Sequence, residues 1–257
     1  MEQVLAPYAR HDLARQDAAA LMDRVDTKFV LPETQLIACL AALSGDYSLL
    51  EIDGDCSFGY ENFYFDNAGL DFYRAHHNTR LNRYKVRERR YAETDRAFLE
   101  VKFKNNKKRT IKRRMAIDPR NRQHEEYEAF LRACLPFDPA VLEPVMFVGY
   151  RRRTLLNAEC TERVTLDAGL HFHSLRSGKR LDLPGLAVVE AKTARKASGS
   201  AIMAALKAAG VKPMRLSKYC TAMALTDTVK RNQFKPKLMH IERLLGRPLD
   251  SIAHAVN

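Results

Sequence analysis

Basic residues recur at every second position within residues 81 to 91, as Arg83, Lys85, Arg87 and Arg89. Successive side chains of a strand point to opposite faces, so this spacing places all four on one face and Tyr84 and Val86 on the other. Residues 98 to 104 divide the same way, with Leu99, Val101 and Phe103 opposing Glu100, Lys102 and Lys104. Lys112 and Arg114 share a face of a third strand. So do Tyr150 with Arg152, Arg163 with Thr165 and Asp167, and Glu190 with Lys192. An antiparallel sheet commonly has one charged, solvated face. Six strands carrying mostly one sign ask for more, because like charges opposite one another across a sheet cost about 0.2–1 kcal/mol per pair unless a ligand of opposite sign relieves them.

Phosphate is the ligand these groups suit. Arginine forks and lysine ammonium groups both bind its oxygens. The interspersed Glu100 and Glu190 are the hard oxygen donors that Mg²⁺ or Mn²⁺ needs beside a triphosphate. A barrel of about eight strands has room inside for one slender ligand, and linear polyphosphate has the width and the sign.

The positioning elements follow from periodicity. Alternation marks strands at 24 to 30, 62 to 66, 80 to 91, 97 to 104, 109 to 117, 145 to 152, 162 to 168 and 186 to 192. Helical spacing marks 12 to 22, 33 to 43, 122 to 134, 200 to 209, 217 to 231 and 237 to 245; Lys207 and Gly210 punctuate the end of the fourth. Residues 104 to 109 read as an exposed hairpin loop, with Asn105 and Asn106 suited to the turn. The expected fold is α+β, an antiparallel β-barrel tunnel of about eight strands with flanking helices.

Composition agrees. The 257 residues carry 43 Lys plus Arg against 31 Asp plus Glu, a net charge of +12, which directs the chain toward polyanions. Five scattered cysteines without Cys-x-x-Cys spacing argue against a disulfide framework or a zinc site and lead us to expect a reducing, cytoplasmic setting. The paired His76 and His77, and His171 and His173, lack a third ligand at a recognisable spacing and are expected to be packed or solvated. No leader-like start and no run near the roughly 18 apolar residues of a membrane span occurs. With no repeat or low-complexity linker, residues 1 to 257 read as one domain, with 229 to 257 as a helical extension.

These residues resemble the VTC domain, the polyphosphate polymerase domain of the vacuolar transporter chaperone complex, within the triphosphate tunnel metalloenzymes. The motifs run in order. Arg24, Asp26, Lys28 and Phe29 match the first strand, and Phe63 through Asn67 match the aromatic-Tyr-Phe-Asp-Asn strand end. Arg87 and Arg89, Glu100 and Lys102, and Lys112 and Arg114 follow. Then come Tyr150 and Arg152, Arg163 through Asp167, Val189 with Glu190 and Lys192, and Ser217 with Lys218 and Tyr219. The resemblance spans about residues 12 to 228.

The resemblance implies a metal-dependent transfer of the γ-phosphoryl group of ATP to inorganic polyphosphate. Lys28, Arg87, Arg89, Lys102, Lys112 and Lys218 would be the catalytic set. Arg114, Arg152, Arg163, Lys192 and Ser217 would bind phosphate. Glu190, with Glu100, would hold Mn²⁺ or Mg²⁺. Hydrolytic relatives begin with Glu-x-Glu-x-Lys, whereas Arg24 replaces the first acid here. Hydrolysis of tripolyphosphate or a nucleoside triphosphate, and non-catalytic polyphosphate binding, are the alternatives. Nucleic acid is not expected as a partner, because the basic residues alternate on strands among carboxylates instead of lying beside exposed stacking aromatics. A membrane partner and the oligomeric state stay open.

Overall fold

The computed structural model describes residues 1–19, 24–107, 109–118, 120, 125–195, 199–249 and 253–254. In chain order the elements are α1 (Glu2–Leu5), β1 (Ala9–His11), α2 (Leu13–Ala18), β2 (Arg24–Pro32), α3 (Glu33–Leu40), β3 (Tyr47–Leu50), β4 (Phe58–Asp66) and α4 (Asp71–His77). There follow β5 (Arg83–Tyr91), β6 (Ala97–Lys104), β7 (Thr110–Ile117), α5 (Glu125–Cys134), β8 (Glu143–Asn157) and β9 (Glu162–Ser174). The last are β10 (Arg180–Leu183), β11 (Leu186–Ala194), α6 (Ala201–Ala208), α7 (Lys218–Thr226), α8 (Lys235–Leu245) and β12 (Ala253–His254). The expected helices over 12 to 22 and 122 to 134, the loop over 104 to 109 and the C-terminal extension fall partly on residues outside those described.

The fold is α+β, built on one antiparallel path of eight strands in the order β2-β11-β9-β8-β4-β5-β6-β7. Every expected strand lies on this path. β8 and β9 are longer than the alternation indicated, and their far halves pair with β3 and β10. A flat sheet would put β6 and β2, six strand steps apart, roughly 29 Å from each other. Yet Lys102 of β6 feels the charges of Lys28 on β2 and Glu190 on β11, so the sheet coils and brings its two limbs face to face. Among the described residues no hydrogen bonds join β7 to β2. The closure expected of a barrel is thus not found among the described residues, and the two limbs define a trough.

Three apolar clusters hold this shape. On the convex side, Val86 of β5 and Leu99 and Val101 of β6 pack against Leu131 of the amphipathic α5. Phe29, Leu31, Val164, Leu166 and Val189 pack against α3 and α6. The third cluster lies inside the trough at one end: Val30, Val188, Val148 and Tyr64 meet Tyr219, Cys220 and Met223 of α7, with Leu238 and Ile241 of α8 behind them. The apolar alternation thus ends where a helix plugs the sheet.

Local sequence sets the helix ends. Ser200 caps α6 by accepting from Met203 N, and Gly210 takes φ +73° just beyond it. Ser217 caps α7 by accepting from Cys220 N. That helix stops at Thr226 because Asp227 is extended, short of the expected 231. At the exposed β7, Lys112, Arg113 and Arg114 line an edge, a composition that discourages pairing with another chain. No helix among the described residues is long and apolar enough to cross a membrane.

Candidate phosphate-binding site

Register brings the predicted residues together on the concave face. Across β5, β6 and β7, Arg87 stands opposite Glu100 and Glu100 opposite Arg114; Lys85, Lys102 and Lys112 form the neighbouring row. On the other limb Lys28 stands opposite Glu190, Glu190 opposite Thr165, and Lys192 opposite Arg163. Arg152 stands opposite Asp167.

Each inner carboxylate is held by two cations. Glu100, 3% exposed, accepts from Arg87 at 2.5 Å on one oxygen and from the Lys112 ammonium on the other. Burial alone would raise its carboxyl, but Arg87, Arg89 and Lys112 outweigh that and hold it well below the usual range. Glu190 meets Lys28 at 2.5 Å and Lys192 at 3.3 Å; burial is again outweighed, here by Lys192 and Lys28, and the carboxyl stays ionised. Asp167 takes the fork of Arg152 at 2.5 and 2.8 Å and the Lys218 ammonium at 2.5 Å. Its carboxyl is likewise held down against burial by Arg152 and Lys218.

Cations still exceed carboxylates. Lys85 donates to Ser217 Oγ at 2.7 Å, a neutral partner. Lys102 and Arg163 make no ion pair among the described residues. Burial, reinforced by Lys85, pushes the Lys102 ammonium down to about 8 even though Glu190 acts the other way. Lys192 falls to about 8 through burial, with Arg152 and Arg163 adding to the effect and Glu190 opposing it. Burial and Arg24 lower Arg163. Lys102 is nonetheless solvent-exposed; a side chain that projects into a wet, protein-walled trough is both accessible and surrounded. Such a surface carries unrelieved like-charge repulsion, which a linear polyanion would remove.

Sequence reasoning placed Tyr150 beside Arg152 but missed the other neutral residues that aim these cations. Tyr60, Asn62 and Tyr64 of β4 alternate onto the same face. Asn62, fully buried, accepts from Arg89 Nε at 3.0 Å, and Tyr64 accepts from Arg87 at 3.0 Å. Tyr150 accepts from Arg89 at 3.2 Å. The strand at 62 to 66 was legible; extending its alternation two residues upstream would have found Tyr60. Ser217, read as a phosphate ligand, is occupied as the α7 cap and as the acceptor of Lys85. Arg114 lies over the Phe98 ring at 5.1 Å.

A divalent cation would find Glu190 or Glu100 but no ready-made cage, since no three His, Cys, Asp or Glu side chains converge among the described residues. Mg²⁺ and Mn²⁺ bound through one or two carboxylates, with phosphate oxygens completing the shell, fit that donor set. The histidine pairs do not join the site: His77 packs edge-on to Phe234 and His171 is exposed.

The family model described as VTC domain matches residues 23–227, a narrower span than the 12 to 228 of the sequence resemblance. No curated protein matches the chain. Among solved structures, a Hippeastrum protein provisionally called an adenylyl cyclase, and described as having a dominant triphosphatase activity, is 14% identical with a TM-score of 0.50. The match covers 81% of this chain and 99% of that one. A conserved hypothetical protein of Pyrococcus furiosus is 12% identical, with a TM-score of 0.43 and coverages of 77% and 99%. A Vibrio parahaemolyticus protein provisionally called an adenylate cyclase is 8% identical, with a TM-score of 0.45 and coverages of 78% and 99%.

Proposed function

The chain belongs to the VTC domain family, and from that premise we propose that it is a metal-dependent polyphosphate polymerase that transfers the γ-phosphoryl group of ATP to a polyphosphate chain. The observation that carries the reading is the concave face itself: two buried carboxylates, Glu100 and Asp167, and the half-buried Glu190, each shared by two cations, among further lysines and arginines without a carboxylate partner.

In this reading the trough is a tunnel closed around its ligand, and the chain's residues 1–257 act as one cytoplasmic domain. Arg87, Arg89, Lys102 and Lys112 hold the triphosphate from one limb; Lys28, Lys192, Arg152, Arg163 and Lys218 hold the acceptor chain from the other. A terminal oxygen of the acceptor attacks the γ-phosphorus in line, the bond from that phosphorus to the β-bridging oxygen breaks, and ADP leaves with the electron pair. The cations stabilise charge on the transferred group, and no protein nucleophile is needed. Glu190, with phosphate oxygens, would hold Mn²⁺ or Mg²⁺, which neutralises charge on the β- and γ-oxygens.

Hydrolysis is the second reading, and the triphosphatase activity named for the Hippeastrum protein favours it. Against it stands the rim of β2: Asp26, the only acid of that strand, is paired with Arg24 at 2.9 Å, leaving a cation where a water-orienting carboxylate would serve hydrolysis. Incubation with ATP and Mn²⁺, assayed separately for polyphosphate and free phosphate, distinguishes the two. Competition between tripolyphosphate and duplex DNA tests the expected absence of nucleic-acid binding.

A further inference from the structure

At the hairpin end of the trough, opposite the end plugged by α7, three aromatic rings follow one another on adjacent strands of the concave face. Tyr60 of β4 stands opposite Tyr91 of β5, with ring centroids 4.9 Å apart and edge-on. Tyr91 meets Phe98 of β6 at 5.9 Å, again edge-on. All three are partly exposed, whereas Tyr64, Tyr150 and Tyr219, deeper in the trough, are buried. Guanidinium groups bracket this row. Arg96 and Arg114 lie 5.7 and 5.1 Å from the Phe98 centroid, and Arg89 lies 5.0 Å from that of Tyr60.

Phe98 faces inward with one ring neighbour, Tyr91, and two guanidinium groups, and stays partly exposed. Phe98 also sits one inner-face step from Glu100 and opposite Arg89, the outermost of the phosphate-holding cations of β5, which places it about 7 Å along the strand from the Arg87–Glu100–Arg114 row. That offset is the distance from the phosphates of a nucleotide to its base. Aromatic faces and guanidinium planes both stack on nucleobases, and they do so with little regard to which base.

Resting on the reading of the trough as a triphosphate site, we propose that Phe98, with Tyr91 and the guanidinium groups of Arg96 and Arg114, forms a platform for the base of a nucleoside triphosphate. The nucleotide then enters from the hairpin end with its phosphates pointing toward Lys102 and Lys85. The platform discriminates a nucleotide from a bare phosphate chain, and it selects purines over pyrimidines only by stacking area.

The test measures binding of the β,γ-imido analogue of ATP and of tripolyphosphate, with the same divalent cation, to the wild-type chain and to Phe98→Ala, Phe98→Leu and Phe98→Tyr. The expected result is about a tenfold or greater loss for the nucleotide analogue in Phe98→Ala and Phe98→Leu, tripolyphosphate binding within twofold of wild type, and restoration by Phe98→Tyr. Intact tripolyphosphate binding certifies the fold of each variant, and Phe98→Leu keeps the side-chain volume should Phe98→Ala not fold. Equal loss of both ligands, or no loss of either, overturns the platform while leaving the phosphate site standing. Failure of the wild-type chain to bind either ligand overturns both readings.

Discussion

Lys218, in the first turn of α7, donates to Oδ2 of Asp167 on β9 at 2.5 Å, so the helix that plugs the trough is tied to its wall by a buried ion pair. Arg152 grips the same carboxylate. A phosphate chain reaching these cations must compete with Asp167 for them, and the strength of that internal counter-ion sets how much ligand binding gains.

Asp167→Asn keeps the shape and removes the charge. Stranding Arg152 and Lys218 without a counter-ion is expected to destabilise the free protein by about 3 kcal/mol. Tripolyphosphate should then raise the melting temperature more in the variant than in wild type, because it replaces the missing charge. Equal ligand-induced shifts in the two proteins would place Lys218 and Arg152 outside the phosphate path.

Arg87→Ala and Arg89→Ala should each weaken tripolyphosphate binding by about 1.5–3 kcal/mol, the usual worth of a charge-assisted hydrogen bond. Their stabilities should differ. Arg87 neutralises the buried Glu100, whereas Arg89 donates to the neutral Asn62 and Tyr150, so denaturant midpoints should fall further for Arg87→Ala. Wild-type affinity in both variants would remove these side chains from the site.

Lys102 and Lys192, each lowered to about 8, give a pH signature. A bound polyanion favours their charged forms and raises both, so binding near pH 8.5 should take up protons, and affinity should fall as pH rises through about 8 to 10. In the free protein the unfolded chain holds more protons over that window, so stability rises with pH there, independently of ligand. Calorimetry in buffers of differing ionisation enthalpy at pH 8.5 and pH 6.5 reads the uptake; identical heats corrected for buffer at both values would contradict it.

Much of this arrangement was legible because burial enforces period two. β5, β6, β8, β9 and β11 each place apolar residues against a helix or a second layer, so most of their charged residues fall on the concave face; Glu88 and Glu162 are exceptions, buried on the outer face against Tyr127 and Tyr47. Elements without such a pattern escaped. β3 is buried at all four positions from Tyr47 to Leu50 and shows no alternation. α4 is short, rich in aromatic residues and histidine, and enters from Leu70 at φ +56°, its first amides capped by Asn67 and Asp66 from the end of β4 instead of by the residue before the helix. The pairing of each carboxylate with two cations is a product of register between neighbouring strands and, for Asp167, of where α7 docks, and strand spacing alone cannot state either.

Glu190→Gln retains the side-chain shape and frees Lys28 and Lys192 from their counter-ion. Anion binding should persist or strengthen, while Mn²⁺-dependent turnover is lost with the charge that would hold the cation. Undiminished turnover with Mn²⁺ would move the metal to another carboxylate, Glu100 being the second candidate.

If the protein is a polymerase, the γ-phosphoryl group passes to a phosphate chain and not to water. The direct measurement supplies γ-labelled ATP, Mn²⁺ and a short polyphosphate primer, and resolves the products by gel. Label is expected in chains longer than the primer, with that signal lost in Glu190→Gln and Lys218→Ala. Label recovered solely as orthophosphate, with the primer unextended, would contradict that expectation and make the chain a triphosphatase.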